Sequence, residues 1–354
     1  MPRTLEFVTI YIDDQAVQVP KGANLVDVAK FYADNDIPVF CYHPKMEPVG
    51  MCRMCLVELG IQETDRETRQ PLCNEDGSPK IRWFPKLQTA CTQFTAEGMA
   101  VRTQSATVAS ARDDIIEFIL TSHPLDCPIC DKGGECPLQN LTMRHGAGTS
   151  RFYFDDKIKL GKHIPLGDLI FLDQERCIQC ARCVRFQDEV VNDPVLGFHE
   201  RGRALQIVTV SDPPFDTYWS GNTTDICPVG ALTTADFRFA ARPWELNEVP
   251  SLDPYGPEGA NISLSTRLDR DSGGKTIVKR VMPRQNEFRQ RNLDFRQNAL
   301  WAPPQPRRQS PGPAHAPQRR ATGPGELGRS AQRCRHCATC SGRPGGRGSW
   351  ADAL

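Results

Sequence analysis

Fifteen cysteines are spread through 354 residues, and twelve of them precede residue 230. The tightest run is Cys177-Ile178-Gln179-Cys180-Ala181-Arg182-Cys183, three thiols at three-residue spacing, with a remote Cys227 directly before Pro228. Ionised thiols are soft ligands that select zinc, copper(I) or iron–sulfur clusters. Zinc sites of this kind draw their ligands as two separated pairs. A three-plus-one set instead suits one face of a four-iron cubane and a closing ligand. In two-cluster bacterial ferredoxins the Cys-Pro cysteine of one run serves the other cluster. No second run pairs with this one, so Cys227 is expected to close the same site. The chemistry implied is one-electron transfer.

A second group is His123-Pro124-Leu125-Asp126-Cys127-Pro128-Ile129-Cys130-Asp131-Lys132-Gly133-Gly134-Glu135-Cys136. Three thiols and an imidazole so close together could hold zinc or a cluster. The position of His123, four residues before Cys127, argues for ligation, and a neutral imidazole in place of an anionic thiolate raises a cluster's reduction potential. A third group is Cys41, Cys52 and Cys55, with Gly50 free to let backbone amides approach a sulfide. The plant-type two-iron pattern has the same logic with a shorter first gap. Its fourth ligand is either Cys73 or Cys91. Cys73 sits among Asn74, Glu75, Asp76 and Gly77, in what reads as an exposed excursion, whereas Cys91 follows residues 86–90 beside a strand. Cys91 is preferred. Zinc, which accepts four cysteines, is the alternative for this group. Cys334, Cys337 and Cys340 also stand at three-residue spacing, but nothing around them preorganises a site.

These groups need short rigid elements to hold them. Residues 5–12 and 16–19 alternate and β-branch like two strands about an Asp13-Asp14 turn. Leu25, Val28, Ala29 and Tyr32 recur at helical spacing, with Asn24 as cap and Pro38 as stop. Residues 56–59 and 81–84 add strands, giving a β-grasp-like unit to about residue 104 that resembles a two-iron ferredoxin. The strongest helix is predicted over 106–121, with Val108, the stem of Arg112, Ile115, Ile116, Ile119 and Leu120 on one side, leading into His123. Gly133-Gly134 and Gly146-Ala147-Gly148 permit sharp loops. Leu169 to Leu172 reads as a strand delivering Cys177.

The composition narrows the function further. The N-terminus lacks a signal peptide's basic flank and cleavage site, and no apolar run approaches the ~18 residues of a membrane helix. A soluble protein of a reducing compartment is expected, where clustered cysteines bind metal rather than each other. Lys plus Arg equal Asp plus Glu at 43 each, but residues 302–354 hold nine Arg against only Glu326 and Asp352. That segment has eight Pro, eight Gly and no Ile, Val, Phe or Tyr. It is expected to be disordered, and its bias suggests a GC-rich coding region read out of frame. It lacks the interleaved aromatics of a nucleic-acid platform. Residues 1–301 contain neither G-x-G-x-x-G nor G-x-x-x-x-G-K-[ST], so no nucleotide cradle is expected there. No acid–base or nucleophile constellation stands out.

Five stretches together resemble the N-terminal part of the NADH-quinone oxidoreductase G-subunit family, the large iron–sulfur subunit of bacterial respiratory complex I. They are Pro38 to Cys41, Gly50 to Cys55, His123 to Cys136, Arg176 to Arg185, and Ser220 to Leu232, and the resemblance spans residues 5–245. It implies one 2Fe-2S cluster on Cys41, Cys52, Cys55 and Cys91. It further implies one 4Fe-4S cluster on His123, Cys127, Cys130 and Cys136, and another on Cys177, Cys180, Cys183 and Cys227. The implied partners are a flavin-bearing NADH-oxidising subunit and other peripheral-arm subunits, on the cytoplasmic side of the bacterial inner membrane. Membrane contact would come only through the complex, with no nucleic acid and no complete active site on this chain.

An α+β chain is therefore expected. It would comprise a two-iron β-grasp domain (1–104), a four-iron domain with one histidine and three cysteine ligands (105–150), a four-iron domain with four cysteine ligands (151–245) and a disordered tail (284–354). Residues 246–283 would open a truncated domain resembling molybdopterin oxidoreductases. The chain departs from some family members at residues 251–262, where no cysteine stands to begin a further cluster. Two rivals remain. One is the diaphorase subunit of an NAD-linked hydrogenase or formate dehydrogenase, which resembles the same region; the other is a zinc-stabilised interaction protein.

Overall fold

Strands β1 (Phe7–Ile12) and β2 (Gln15–Pro20) pair antiparallel through a turn whose two residues, Asp13 and Asp14, both have positive φ. That geometry matches the right-handed twist of the flanking strands. Asp13 also locks the turn to the sheet, its carboxylate accepting from the Thr103 amide (2.7 Å) and hydroxyl (2.5 Å). Helix α1 (Leu25–Ala33) is capped by Asn24, whose side chain accepts from the Val26 amide at 3.0 Å. It ends at Asp34, in the left-handed region, before Pro38 is reached. Only its first two turns are buried against the sheet, which leaves Tyr32 exposed rather than in the core.

Strands β3 (Leu56–Gln62), β4 (Ile81–Trp83), β5 (Gln88–Thr89) and β6 (Met99–Arg102) complete the sheet. Its order is β2-β1-β6-β3-β4, with β5 on β3, and β1–β6 is the parallel pair among antiparallel neighbours. This is the β-grasp arrangement expected. Alternate residues Val8, Ile10 and Ile12 meet Leu25, Val28 and Ala29 of α1 in the first core.

Helix α2 (Ala106–Leu120) follows, with Ser105 as N-cap. Val108, Arg112 and Ile116 are buried. Arg112 goes in whole, at 6% exposure, its Nη2 donating to Leu56 O at 3.4 Å. The remaining elements are short: α3 (Pro137–His145), β7 (Ile164–Pro165), β8 (Ile170–Leu172), α4 (Arg182–Arg185), β9 (Leu196–His199), β10 (Gln206–Thr209), α5 (Ser220–Asp225) and β11 (Leu232–Thr234). Strands β11, β8 and β7 form one small sheet, and β9 with β10 a hairpin. A second core gathers Ile116, Leu138, Leu172, Phe215 and Leu232, and Phe40 and Met54 from the β-grasp unit bury in it too.

A three-stranded antiparallel sheet, β12 (Asn247–Leu252), β13 (Asn261–Asp269) and β14 (Lys275–Pro283), ends the described part. Arg280 of β14 forms a bidentate pair with Glu135, both contacts 2.7 Å, tying this sheet to the His123–Cys136 loop. The computed structural model describes residues 6–284 except 66, 69, 213, 216, 218, 255–258 and 270–272. The expected disordered tail, with Cys334, Cys337 and Cys340, lies outside the described residues from 285 onward. No helix among the described residues is long and apolar enough to cross a membrane.

Candidate metal centres

The first centre is built on the loop before β3. Cys41 and Cys55 are buried there and Cys52 is half-buried. The chain reverses at Gly50 and Arg53, both at positive φ. A side chain at Gly50 would press within 3.2 Å of Thr92 Cγ2. The Cys41 amide donates to Cys52 Sγ and the Cys52 amide to Cys41 Sγ, each at 3.4 Å. Amide donors of this kind stabilise sulfur-borne negative charge.

Cys91 joins them from a 3-10 turn after β5, held by the Ala90 amide on Cys55 O (3.0 Å) and by Asn24 Nδ2 on Cys91 O (2.6 Å). Asn24 thus caps α1 and positions a thiol with the same amide group. The four thiols form one hydrogen-bonded set. Contact with Cys52 lowers the pKa of Cys41 and contact with Cys91 lowers that of Cys55, while the same contacts, with burial, raise Cys52 and Cys91. Cys73 is exposed, in the excursion closed by its bridge to Pro79.

The second centre lies at the end of α2. His123, Cys127, Cys130 and Cys136 line one cavity of about 240 Å³. Cys136 precedes α3, so the Leu138 and Gln139 amides at the helix start point at its sulfur and oppose the rise in pKa that burial causes. His123 is held near pKa 4, first by burial and then by Lys157 and Arg176. Its Nδ1 is buried without a hydrogen-bond partner. A neutral imidazole with a free nitrogen is the form that ligates metal.

The third centre is the most enclosed. Gln179 and Ala181, the residues on either side of Cys180, both adopt positive φ, and this turns the three thiols of the run inward. Cys227 arrives from the end of α5. The four sulfurs border a void of about 20 Å³. Burial pushes the Cys177 thiol up to about 12, Cys180 to about 11 and Cys183 further still. These thiols would ionise only with a strong positive partner in place.

At the third centre, whose void of about 20 Å³ is below one water's share of liquid volume, roughly 30 Å³, the fit to a cluster rests on the four-thiol donor set alone. The second cavity, by contrast, has room for an iron–sulfur cluster. A zinc ion draws its sulfurs to about 2.3 Å, whereas this space exceeds several waters at roughly 30 Å³ each.

The centres are joined by contacts that the spacing of the cysteines does not reveal. Arg182 donates to Tyr42 O and Ile226 O, and Arg185 to Cys41 O and Glu47 O, so neither lies on a solvated basic face. Between the second and third centres the Cys136 thiol approaches Pro228 O at 3.9 Å, and Gly230 packs on Cys130. Arg176, beside Cys177, lines the second cavity and pairs with Asp126 and Asp173.

Family models match all three regions. Residues 6–106 match a 2Fe-2S iron-sulfur cluster binding domain, 112–151 the NADH-ubiquinone oxidoreductase-G iron-sulfur binding region, and 167–233 the ferredoxin-like domain of NADH-quinone oxidoreductase subunit 3. Subunit 3 of NADH-quinone oxidoreductase from Thermus thermophilus is 42% identical over 295 residues, covering 79% of this chain and 37% of the relative. The chain belongs to the NADH-quinone oxidoreductase G-subunit family.

The G subunit of NADH-quinone oxidoreductase from Mycobacterium bovis is 44% identical over 256 residues (72% of this chain, 29% of the relative). The mitochondrial 78 kDa subunit of NADH-ubiquinone oxidoreductase from Neurospora crassa is 38% identical over 280 residues (79% and 34%). The chain therefore spans about a third of the length of the curated relatives it matches. Among solved structures, a chain of an NAD+-reducing [NiFe]-hydrogenase superposes with a TM-score of 0.53 at 25% identity, over 66% of this chain and 90% of that one. The G-subunit family thus shows here as a 2Fe-2S ferredoxin-like domain followed by 4Fe-4S ferredoxin-like regions, in a mixed helix and sheet fold.

Proposed function

We propose that this chain is an electron-transfer subunit of NADH-quinone oxidoreductase, relaying electrons from the flavin of an NADH-oxidising partner toward quinone. In this reading Cys41, Cys52, Cys55 and Cys91 hold one 2Fe-2S cluster. His123, Cys127, Cys130 and Cys136 hold one 4Fe-4S cluster, and Cys177, Cys180, Cys183 and Cys227 a second. Bound there, the clusters would supply one-electron carriers. The residues ligate, exclude water and aim amide and guanidinium donors at sulfur. The division of the chain at 104, 150, 245 and 283 follows the centre that each segment serves. Docking with peripheral-arm partners on the cytoplasmic side of a bacterial membrane belongs to the same proposal.

One observation carries it: the three donor sets are packed in series, with Arg182 and Arg185 linking the first to the third and residues 227–230 linking the third to the second. A relay needs such contiguity, and independent structural zinc sites do not. Anaerobic purification with iron, sulfide and zinc counted per chain tests it. About ten iron and ten sulfide are expected for one two-iron and two four-iron clusters. Three zinc ions in a colourless, sulfide-free protein would overturn the reading. Co-purification of a nickel-iron or molybdenum subunit, in place of quinone-module subunits, would move the chain to a hydrogenase or formate dehydrogenase.

A further inference from the structure

Arg182 lies between Cys180 and Cys183 in sequence, yet its guanidinium reaches two other segments. Nη2 donates to Tyr42 O at 2.5 Å and Nη1 to Ile226 O at 3.4 Å. Tyr42 follows Cys41, and Ile226 precedes Cys227. One planar fork, carried on the third centre's own loop, therefore holds the backbone beside a thiol of the first centre and beside the remote thiol of the third. Arg185, at 9% exposure, adds a second link to Cys41 O but none to the 226–227 segment.

The charge of Arg182 is the unusual part. The buried guanidiniums of Arg176 and Arg238 are neutralised by Asp173, at 2.9 and 3.1 Å. Arg182 forms no ion pair with a carboxylate among the described residues, and its Nε is buried without a hydrogen-bond partner. Arg182 is half-buried, and a partly desolvated cation without a carboxylate partner is disfavoured unless negative charge lies near it. Its side chain lines the void of the third centre beside Cys177, Cys180, Cys183 and Cys227, and its fork ends on the carbonyl one residue from Cys41 of the first. A cluster's negative charge at either centre would lie close to it.

We propose that Arg182 is a positioning residue and counter-charge shared by two redox centres, fixing the Cys41 and Cys227 segments against each other and raising both reduction potentials together. Reduction adds negative charge to a centre, so a nearby fixed cation favours the reduced form. The inference rests on the electron-transfer reading and adds a residue through which the potentials of the two centres are tied.

The test is a redox titration of the anaerobically purified full chain, followed by the paramagnetic signals of each centre, for wild type, Arg182→Gln, Arg182→Lys and Arg185→Gln. Arg182→Gln is expected to lower the reduction equilibrium of both the 2Fe-2S centre and the Cys177-Cys180-Cys183-Cys227 centre about tenfold, about 59 mV for one electron. The His123 centre should stay in place. Arg182→Lys keeps the charge and should restore most of both shifts, and Arg185→Gln should move the 2Fe-2S centre alone. A shift in only one centre, or in neither, overturns the inference. So does a lysine variant that behaves like the glutamine one. If Arg182→Gln does not assemble, an assembled Arg182→Lys with both potentials near wild type supports the proposal, and its failure to assemble overturns it. Absence of the signals from wild type would instead sink the electron-transfer reading itself.

Discussion

A Cβ atom on Gly230 would stand 2.1 Å from the Sγ of Cys130. Glycine is thus demanded here by close approach and not by backbone conformation, and the clash would fall on a proposed ligand of the neighbouring centre. Gly230→Ala should displace Cys130 and abolish the paramagnetic signal of the His123 centre. The 2Fe-2S signal, which shares no element with Gly230, should persist. Retention of all three signals would show that the loop yields more readily than the contact implies.

The choice between Cys91 and Cys73 has a sharp spectroscopic consequence. Cys91 is buried against Cys41 and Cys55, whereas Cys73 is exposed in the 63–80 excursion. Cys73→Ala should leave iron content and the two-iron spectrum unchanged, with stability altered by no more than about 0.5 kcal/mol. Cys91→Ala should remove about two iron and two sulfide per chain. Loss of the two-iron spectrum in the Cys73 variant would reverse the assignment.

The cysteine groups, the hairpin turn at Asp13-Asp14 and the Asn24 cap are legible in the sequence because each is a local pattern whose chemistry depends on near neighbours. The burial of Cys91 and the exposure of Cys73 are legible for a related reason, since Cys91 stands beside a strand whereas Cys73 sits among Asn74, Glu75, Asp76 and Gly77. The links between centres leave no such trace. Arg182 and Arg185 look alike on paper as a solvated face or a counter-charge, and only the carbonyls of Tyr42, Ile226 and Cys41, distant in the chain, decide between the two. Arg112 reads as a stem lying along an apolar helix face, but it is buried whole because Leu56 O offers it an acceptor. Gly230 carries no periodic or turn signal at all, and its role follows from a contact about 100 residues away in the chain.

Acid should weaken the fold through His43. Burial first, then Arg182, Lys45 and Arg185, lower its folded pKa to about 4 from the ordinary value near 6.5. Between those values the unfolded chain holds a proton that the folded chain rejects. The stabilisation from this group is therefore complete above pH 6.5 and drains away as pH falls toward 4. Denaturation of the anaerobic protein at pH 7 and pH 5 checks this. Wild type should lose more stability between the two than His43→Gln, by about 1 kcal/mol for a half-buried ring. Equal losses would mean that His43 titrates normally in the folded protein.

Phe40 precedes Cys41 in the first centre, yet its ring, at 0% exposure, lies in the core shared with Cys183 and Cys227 of the third. Phe40→Ala should cost about 3–5 kcal/mol, the usual range for emptying such a site. Because the ring joins the two centres, their visible absorbance should bleach in a single transition at lower temperature and not one after the other. Phe7→Ala, at a ring 53% exposed on β1, is the control and should stay within about 0.5 kcal/mol of wild type. Two well-separated bleaching steps in the Phe40 variant would show that the β-grasp unit and the Cys177–Cys227 centre unfold independently, and that the buried ring couples them less than its packing implies.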